Sequence, residues 1–134
     1  METRGIRNCN PLNIRRGKSL WLGMRQKQTD KCFVQFTSRV YGYRAAFVLL
    51  GRYIERGTNT IGKIVARWAP STDGNNTQAY IGFVAETAGI GAGETIAFGE
   101  RGKLVEIVRS MAQMESGVIE DRAMIEQAYE MAKQ

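Results

Sequence analysis

The chain has 134 residues, a length that suits one domain with a hydrophobic core and is too short for two ordinary domains. It carries 19 Lys and Arg against 13 Asp and Glu, a formal net charge of +6, and no His. The charge favours anionic partners such as nucleic acid or an anionic cell wall, and the lack of His excludes Ser-His-Asp hydrolysis and His-ligated metal sites. We therefore expect any catalysis to use carboxylates, with no metal and no cofactor.

The N-terminal sequence has no apolar segment like that of a secretory signal, and no apolar run approaches membrane-spanning length. We expect a protein made in the cytoplasm that would need a phage particle, a holin or a secretion system to reach a cell wall. Cys9 and Cys32 are far apart and match no metal-binding spacing. Two free thiols are the favoured interpretation, and a bridge between them is compatible with the sequence.

The first predicted element is a turn-rich loop from Gly5 to Gly17, in which Asn8, Asn10 and Asn13 crowd around Pro11. Asn side chains make turns in such a segment, and they can also satisfy the hydroxyl and acetamido groups of a sugar. The residues that follow predict a short hairpin or irregular strand lobe that ends near position 36.

Helical spacing of apolar residues dominates the remainder of the chain. It predicts about five helices, which end at glycines or at a proline. Their expected ranges are Arg39 to Glu55, a short helix between Thr60 and Pro70, Gln78 to Thr87, the stretch from Lys103 to a stop at Gly117, and Ile119 to Gln134. The sequence thus predicts one mainly α domain (α+β) over residues 1–134, with a small irregular or β lobe near the N-terminus.

Glu115 continues the apolar stripe of the helix that begins near Lys103 and falls in its last turn, before Gly117. Burial and the negative end of the helix dipole would both raise the pKa of this carboxyl. An acid kept protonated near neutral pH can protonate the leaving oxygen of a glycosidic bond. The alternative is that Glu115 turns past Ser116 into water, as most glutamates near helix ends do.

Three segments resemble parts of lysozyme-like peptidoglycan hydrolases. Gly5 to Arg15 is similar to the Gly-Ile-Arg-Asn-Asn-Asn-Pro-Gly-Asn-Ile-Arg signature near the start of a group of phage and prophage lysis or virion proteins. This chain has Cys9 and Leu12 where that pattern has Asn and Gly. Residues 36–53 and 68–81 are similar, in the same order, to a helix and then a loop and Tyr-containing helix of glucosaminidases in that superfamily.

In the superfamily, the catalytic Glu ends a helix that precedes the Asn-rich loop, whereas here only Met1 to Arg4 precede that loop. The stretch Met111 to Gly117 resembles the end of the missing helix. The resemblance therefore implies a circularly permuted lysozyme-like fold, in which the catalytic helix comes from the C-terminal part of the chain. The implied activity is cleavage of the β-1,4 bond between N-acetylmuramic acid and N-acetylglucosamine, with Glu115 as general acid.

The sequence leaves open whether a second carboxylate acts together with Glu115. Ordinary glycosidases pair the acid with a second carboxylate, and Asp73 and Asp121 are candidates from their predicted positions in a loop or at a helix start. A lytic transglycosylase works with a single Glu, which protonates the leaving oxygen and then, as carboxylate, helps the muramic 6-hydroxyl to attack the anomeric carbon. Both the muramidase and the transglycosylase reactions are compatible with the sequence.

The substrate-binding residues implied by the resemblance are polar or aromatic. They are Asn8, Asn10, Asn13, Gln35, Trp68, Tyr80 and Ser116. Trp68 and Tyr80 have faces that suit sugar rings, but both also fit the apolar stripes of helices.

Two other classes of function remain as alternatives. The first is an inactive virion or wall-binding protein of the same fold, which would bind peptidoglycan without cleaving it. The second is a basic nucleic-acid-binding protein, which we rank last because the basic residues are scattered and no helix-turn-helix spacing or RNA-binding motif is present.

Overall fold

The computed structural model describes residues 2–134 and is mainly helical, as the sequence predicts. Its six helices are α1 (Arg4–Arg7), α2 (Arg39–Glu55), α3 (Ile61–Trp68), α4 (Thr77–Ala88), α5 (Arg101–Ser116) and α6 (Arg122–Ala132). A 3-10 turn, Ser71–Asp73, precedes α4. In the described residues, extended pairing is limited to two isolated antiparallel bridges, Arg15 with Phe33 and Met24 with Phe36. The lobe between α1 and α2 is therefore irregular rather than a hairpin.

Local capping residues explain where several helices begin and end. The Thr60 hydroxyl accepts a hydrogen bond from the backbone N–H of Lys63 and starts α3. The Asn76 side chain accepts from the backbone N–H of Ala79 and starts α4 in the same way. Gly117 adopts the left-handed conformation, with φ of 71°, directly after α5. These are sequence signals, and the helices lie close to their predicted ranges.

Three details differ from the sequence prediction. Arg4–Arg7 form the single-turn helix α1 instead of a loop. Ile119 lies outside the last helix and is 69% exposed, because the Asp121 side chain caps α6 three residues later than the predicted start. The pair Thr37-Ser38 in the sequence predicts a capping side chain for α2, but Ser38 occupies the N-cap position without a side-chain capping hydrogen bond.

The hydrophobic core lies around α5, which contacts α1, α2, α4 and α6, while α2 packs along α6. The rings of Phe47 in α2 and Tyr129 in α6 pack edge to face, with their centroids 5.4 Å apart. The Tyr129 hydroxyl donates a hydrogen bond to the carbonyl of Phe98 at 2.7 Å. The α5 residues in the core are Leu104, Val105, Ile107, Val108, Met111 and Ala112, all fully buried. Each large apolar side chain buried in this way contributes roughly 1.5–3 kcal/mol, so the core fixes the position of α5.

The N-terminal segment packs on the C-terminal end of α5. The Thr3 hydroxyl donates to the carbonyl of Ser116 at 2.9 Å, and the Ser116 hydroxyl donates to the carbonyl of Pro11 at 2.7 Å. Gly5 allows this close approach, since a Cβ there would lie 2.0 Å from the Ser116 Oγ. Two parts of the chain more than 100 residues apart are thereby held together.

Asp30 ties the irregular lobe to the N-terminal segment. It accepts two hydrogen bonds from the Arg4 guanidinium, both at 2.7 Å, and one from the Asn8 amide at 3.0 Å. The backbone N–H groups of Cys32 and Phe33 donate to the same carboxylate at 2.9 Å. The hydrogen bonds from Arg4 are the largest cause that holds the pKa of Asp30 well below its ordinary value.

Candidate functional site

The carboxyl of Glu115 is held by two neutral donors from different parts of the fold. Glu115 is the penultimate residue of α5 and is partly exposed. Its Oε1 accepts from the Asn13 amide at 3.0 Å, and its Oε2 accepts from the Tyr80 hydroxyl at 3.0 Å. Asn13 belongs to the N-terminal segment and Tyr80 to α4. The carboxyl therefore lies where three elements meet.

The surroundings raise the pKa of Glu115. Burial is the largest cause, and the hydrogen bonds from Asn13 and Tyr80 and the charge of Arg15 act in the opposite direction without cancelling it. The direction of this shift agrees with the expectation from the sequence. Glu115 consequently keeps its proton to a higher pH than an exposed glutamate does.

Asn13 adopts an uncommon backbone conformation to reach Glu115. Its φ of 54° lies in the left-handed region, which Asn tolerates better than most residues. Its Oδ1 is buried without a hydrogen-bond partner in the described part of the chain. Strained backbone and unpaired buried polar atoms are costly, and both concentrate at functional sites.

Tyr80 contributes a hydroxyl to the site and not a ring face. The residue is 5% exposed, so its ring belongs mainly to the core, as its place on an apolar stripe also allowed, while it still lines a cavity together with Glu115. Burial is the first cause that raises the pKa of Tyr80 well above its ordinary value, so the phenol stays protonated. A phenol can donate to a carboxylate and can accept from a carboxylic acid, which allows Tyr80 to hydrogen-bond Glu115 in both protonation states.

Glu115 opens onto a groove made of three cavities. The first, about 320 Å³, is lined by Asn75, Asn76, Ala79, Tyr80, Met114 and Glu115. The second, about 140 Å³, is lined by Asn13, Arg15, Phe33, Trp68, Ala69, Asp73, Asn75 and Glu115. The third, about 330 Å³, shares Asn13, Arg15, Trp68 and Asp73 with the second and extends to Ile14, Gly17, Ser19, Trp21, Leu49, Tyr53, Arg67 and Pro70. We call the third cavity the aromatic cavity. Because neighbouring cavities share lining residues, an extended ligand could run from the aromatic cavity past Glu115.

Trp68 lies in the wall of the groove, where the sequence predicts a sugar-binding residue. Its indole N–H donates to the carbonyl of Leu12 at 3.1 Å, which fixes the ring. The ring meets Tyr53 edge to face, with centroids 6.0 Å apart. Trp68 is partly exposed and lines both the second cavity and the aromatic cavity.

Three residues predicted to bind substrate lie in the interior instead. Asn10 is fully buried, donates to the carbonyls of Ile14 and Val34, and accepts from the Ile14 N–H. The Gln35 amide donates to the Asn8 side chain at 3.0 Å, and both residues are buried. Their polar atoms hold the irregular lobe in place, so the prediction of direct sugar contact is wrong for Asn8, Asn10 and Gln35.

The positions of Ser116 and of the two candidate second carboxylates, Asp73 and Asp121, differ in how close they come to the groove. Ser116 is 2% exposed and donates its hydroxyl to the Pro11 carbonyl, so it supports the end of α5, and it is absent from the lining of the groove. Asp121 caps α6 and is absent from the lining of the groove. Asp73 lines the same cavity as Glu115 and is exposed.

Several residues of the groove were missed in the sequence. Arg15, Tyr53, Arg67 and Asn75 all line it, but none belongs to a motif whose chemistry stands out. Arg15 ends the Asn-rich signature and could have been included with it. Tyr53 and Arg67 come from α2 and α3, and only the packing of those helices brings them together.

Cys9 and Cys32 are free thiols, the first partly buried and the second exposed. Within residues 2–134, no group of three or more His, Cys, Asp and Glu is placed to hold a metal ion. None of the helices in that range combines the length and apolar character needed to cross a membrane.

Comparison with known proteins finds a relative in a bacteriophage. The chain is 42% identical over 91 residues to Protein P5 of Pseudoalteromonas phage PM2. The match covers 65% of this chain and 56% of that protein, so the chain spans little more than half the length of the curated relative. No protein-family model matches the chain. Similarity to a phage protein agrees with the phage character of the Asn-rich signature.

Proposed function

We propose that this protein cleaves the glycan strands of peptidoglycan, as a lytic transglycosylase or a muramidase, with Glu115 as the general acid. The observation that carries the proposal is the setting of Glu115 at the end of α5. The carboxyl has a raised pKa, is held between Asn13 and Tyr80, and borders two cavities of the groove.

The packing of the N-terminal segment on the end of α5 supports a circularly permuted lysozyme-like fold. In that superfamily the helix with the catalytic Glu leads directly into the Asn-rich loop. Here the Thr3 hydroxyl and the Pro11 carbonyl both bind Ser116, and Gly5 packs on its side chain. The end of α5 and the start of the Asn-rich loop are thus adjacent in space, as a permutation requires.

In the proposed reaction, protonated Glu115 gives its proton to the glycosidic oxygen as the bond between that oxygen and the anomeric carbon breaks. The resulting carboxylate then takes a proton from the attacking hydroxyl. Attack by the muramic 6-hydroxyl gives a 1,6-anhydro product, and attack by water gives a reducing end. In the free protein the Tyr80 hydroxyl accepts from the acid; when a glycan binds, the acid O–H turns from Tyr80 to the glycosidic oxygen, and after proton transfer Tyr80 donates to the carboxylate. The Asn13 amide donates to Oε1 throughout.

The choice between the two reactions depends on a second carboxylate. Asp73 is the only carboxylate besides Glu115 on the groove lining within residues 2–134. Hydrolysis would use Asp73 to orient or deprotonate water, whereas transglycosylation needs only Glu115.

A wall-binding protein of the same fold, without cleavage, is the second candidate. One observation favours it. Both carboxylate oxygens of Glu115 already accept internal hydrogen bonds, so a substrate oxygen must compete with Asn13 or Tyr80. The same groove would then hold a glycan strand without reacting with it.

The test is loss of turbidity of purified sacculi, with mass spectrometry of the released fragments. The variants are Glu115→Gln and, as a matched control, Glu86→Gln, an exposed glutamate of α4 outside the groove. We expect the wild type and Glu86→Gln to release fragments at the same rate, and Glu115→Gln to be slower by about 10²–10⁴-fold with its fold intact by circular dichroism.

Each other outcome has a clear meaning. Anhydro-muramic ends would identify a transglycosylase and reducing ends a muramidase. Sedimentation with sacculi without release of fragments would favour the wall-binding protein. Equal activity of Glu115→Gln and the wild type would contradict the assignment of Glu115.

A further inference from the structure

We propose that the aromatic cavity is a subsite for a saccharide unit that carries a carboxylate, and that Arg15 and Arg67 bind this carboxylate. The inference rests on the proposed function for the identity of the glycan. It adds the substrate class that the groove selects, namely acidic rather than neutral chains.

The two arginines are held in place without being neutralised. The guanidinium of Arg67 lies 5.0 Å from the ring centroid of Tyr53, and that of Arg15 lies 5.5 Å from the ring centroid of Phe33. Both side chains are exposed. Within residues 2–134, neither guanidinium has a carboxylate within 4.0 Å.

Two other exposed arginines, Arg4 and Arg101, are in contrast neutralised by carboxylates. Arg4 is paired with Asp30 at 2.7 Å, and Arg101 with Glu130 at 3.3 Å. Stacking on an aromatic ring restricts a guanidinium, so less conformational entropy is lost when it binds a ligand. Unpaired and restricted arginines on a cavity wall are therefore available to an external anion.

The lining of the aromatic cavity fits a sugar with a negative charge. Trp21, Tyr53 and Trp68 supply aromatic surface for the C–H faces of a sugar ring. The volume of about 330 Å³ lies at the lower end of the roughly 300–1,000 Å³ typical of small-ligand sites. Of the charged residues that line it, Arg15 and Arg67 outnumber the single acid, Asp73. The local charge thus favours an anion over a neutral ligand.

The chemistry of the ligand follows from the geometry of arginine. A guanidinium presents paired N–H groups that match the two oxygens of a carboxylate. In peptidoglycan such a carboxylate has two sources. One is the lactyl ether of muramic acid after the stem peptide has been removed, and the other is a carboxylate of the stem peptide itself. Both would reach Arg15 and Arg67 from a sugar held against Trp68.

The experiment measures binding in the Glu115→Gln background, so that no probe is cleaved. The probes are soluble glycan strands stripped of stem peptides, which carry lactyl carboxylates, and the same strands after conversion of those carboxylates to methyl amides. We expect the acidic strands to bind about tenfold or more tightly than the amidated strands. Adding Arg15→Gln and Arg67→Gln together should abolish that preference.

The matched control is Arg56→Gln, which removes one positive charge from an exposed position after α2, outside the groove. It should retain the preference for acidic strands. Equal affinity for both strands in the parent protein, or an equal loss in the Arg56→Gln control, would overturn the subsite and leave the glycan function standing. No binding of either strand would overturn both.

A third probe, intact strands with their stem peptides, distinguishes the two sources of the carboxylate. If these strands lose as much affinity as the stripped strands on removal of Arg15 and Arg67, the stem peptide supplies the anion as well. If they are insensitive to both substitutions, the lactyl carboxylate is the ligand.

Discussion

Glu115, in the last turn of α5, and Glu120, in the connection to α6, have opposite surroundings although they lie only five positions apart. Glu120 is 4% exposed and accepts hydrogen bonds from the Arg39 guanidinium at 2.8 and 3.2 Å and from the Tyr43 hydroxyl at 2.9 Å. Glu115 accepts from one amide and one phenol and has no ion-pair partner within residues 2–134. The first carboxylate forms an ion pair, and the second does not in the described part of the chain.

Burial alone does not make a glutamate a candidate general acid. Burial raises the pKa of both residues. In Glu120 the hydrogen bonds from Arg39 and Tyr43 outweigh burial and leave the pKa below its ordinary value. In Glu115 burial outweighs the neutral donors, and the pKa is raised. Glu120 therefore stabilises the fold as an anion, whereas Glu115 is suited to hold and release a proton.

The largest expected effect comes from removing the cation beside Glu120. Arg39→Met leaves a buried carboxylate unpaired, so we expect the free energy of unfolding to fall by about 3 kcal/mol, the low end for a buried pair because Arg39 is 38% exposed. The control Arg101→Met breaks an exposed pair with Glu130 and should cost at most about 1 kcal/mol. Chemical denaturation at neutral pH measures both.

The stabilisation from the Arg39–Glu120 ion pair should decrease as the pH falls. Because folding lowers the pKa of Glu120, the stabilisation is present above the ordinary pKa of a glutamate and is lost as the pH falls through the folded-state value. The difference between the wild type and Arg39→Met should therefore shrink in acid. A difference that grows in acid would contradict the ion pair.

The second largest effect tests the close packing of Gly5 against Ser116 and Asn13, next to Glu115. In Gly5→Ala the new Cβ would meet the Ser116 Oγ at 2.0 Å and Asn13 Oδ1 at 3.0 Å, so we expect a loss of about 2 kcal/mol and a lower rate of glycan cleavage. The control Gly102→Ala lies in the first turn of α5 with nothing within 4 Å and should be neutral or slightly stabilising. Unchanged stability in Gly5→Ala would contradict the tight packing of this segment.

A smaller effect tests the role of Tyr80. Its hydrogen bond lowers the pKa of Glu115, so Tyr80→Phe should raise that pKa further and shift the alkaline limb of the kcat/KM profile to higher pH. We expect the free energy of unfolding to fall by about 1 kcal/mol. Tyr41→Phe serves as control, because that residue lies on α2 outside the groove. An alkaline limb that moves to lower pH in Tyr80→Phe would contradict the hydrogen bond from Tyr80 to Glu115.

The smallest effect concerns the Asn-rich loop that carries Asn13. Cys9 has a φ of 52°, a conformation that Asn adopts more readily than Cys. We expect Cys9→Asn to stabilise the protein by about 0.5–1 kcal/mol, while Cys32→Asn, at an exposed position without positive φ, should be neutral. Thermal unfolding compares the two. Destabilisation by Cys9→Asn would show that the thiol makes contacts that outweigh the backbone strain.

The helices could be predicted from the sequence because their signals are local. The apolar stripe of α5 and the stop at Gly117 place Glu115 in the last turn of its helix, and the cap at Thr60 marks the start of α3. The one-turn helix α1 was missed because four residues are too few to show a helical period.

The site itself could be predicted only in part. Composition and resemblance indicated Asn10 and Gln35, but long-range contacts decide that these side chains point inward and hold the irregular lobe. Arg67 and Tyr53 gave no local signal, because their pairing depends on how α2 and α3 pack. In physical terms, the sequence pattern specifies which residues are polar, and the tertiary fold decides which of them reach the groove.

The most direct test of the central claim is a carbon-detected NMR titration of the glutamate side-chain carboxyls. Glu115→Gln and Glu120→Gln would assign the two resonances of interest. Our account predicts that Glu115 titrates above the ordinary pKa of a glutamate and Glu120 below it, in one and the same sample. A Glu115 that titrates at or below its ordinary value would contradict the account, because a carboxyl already ionised in mild acid could not serve as the general acid.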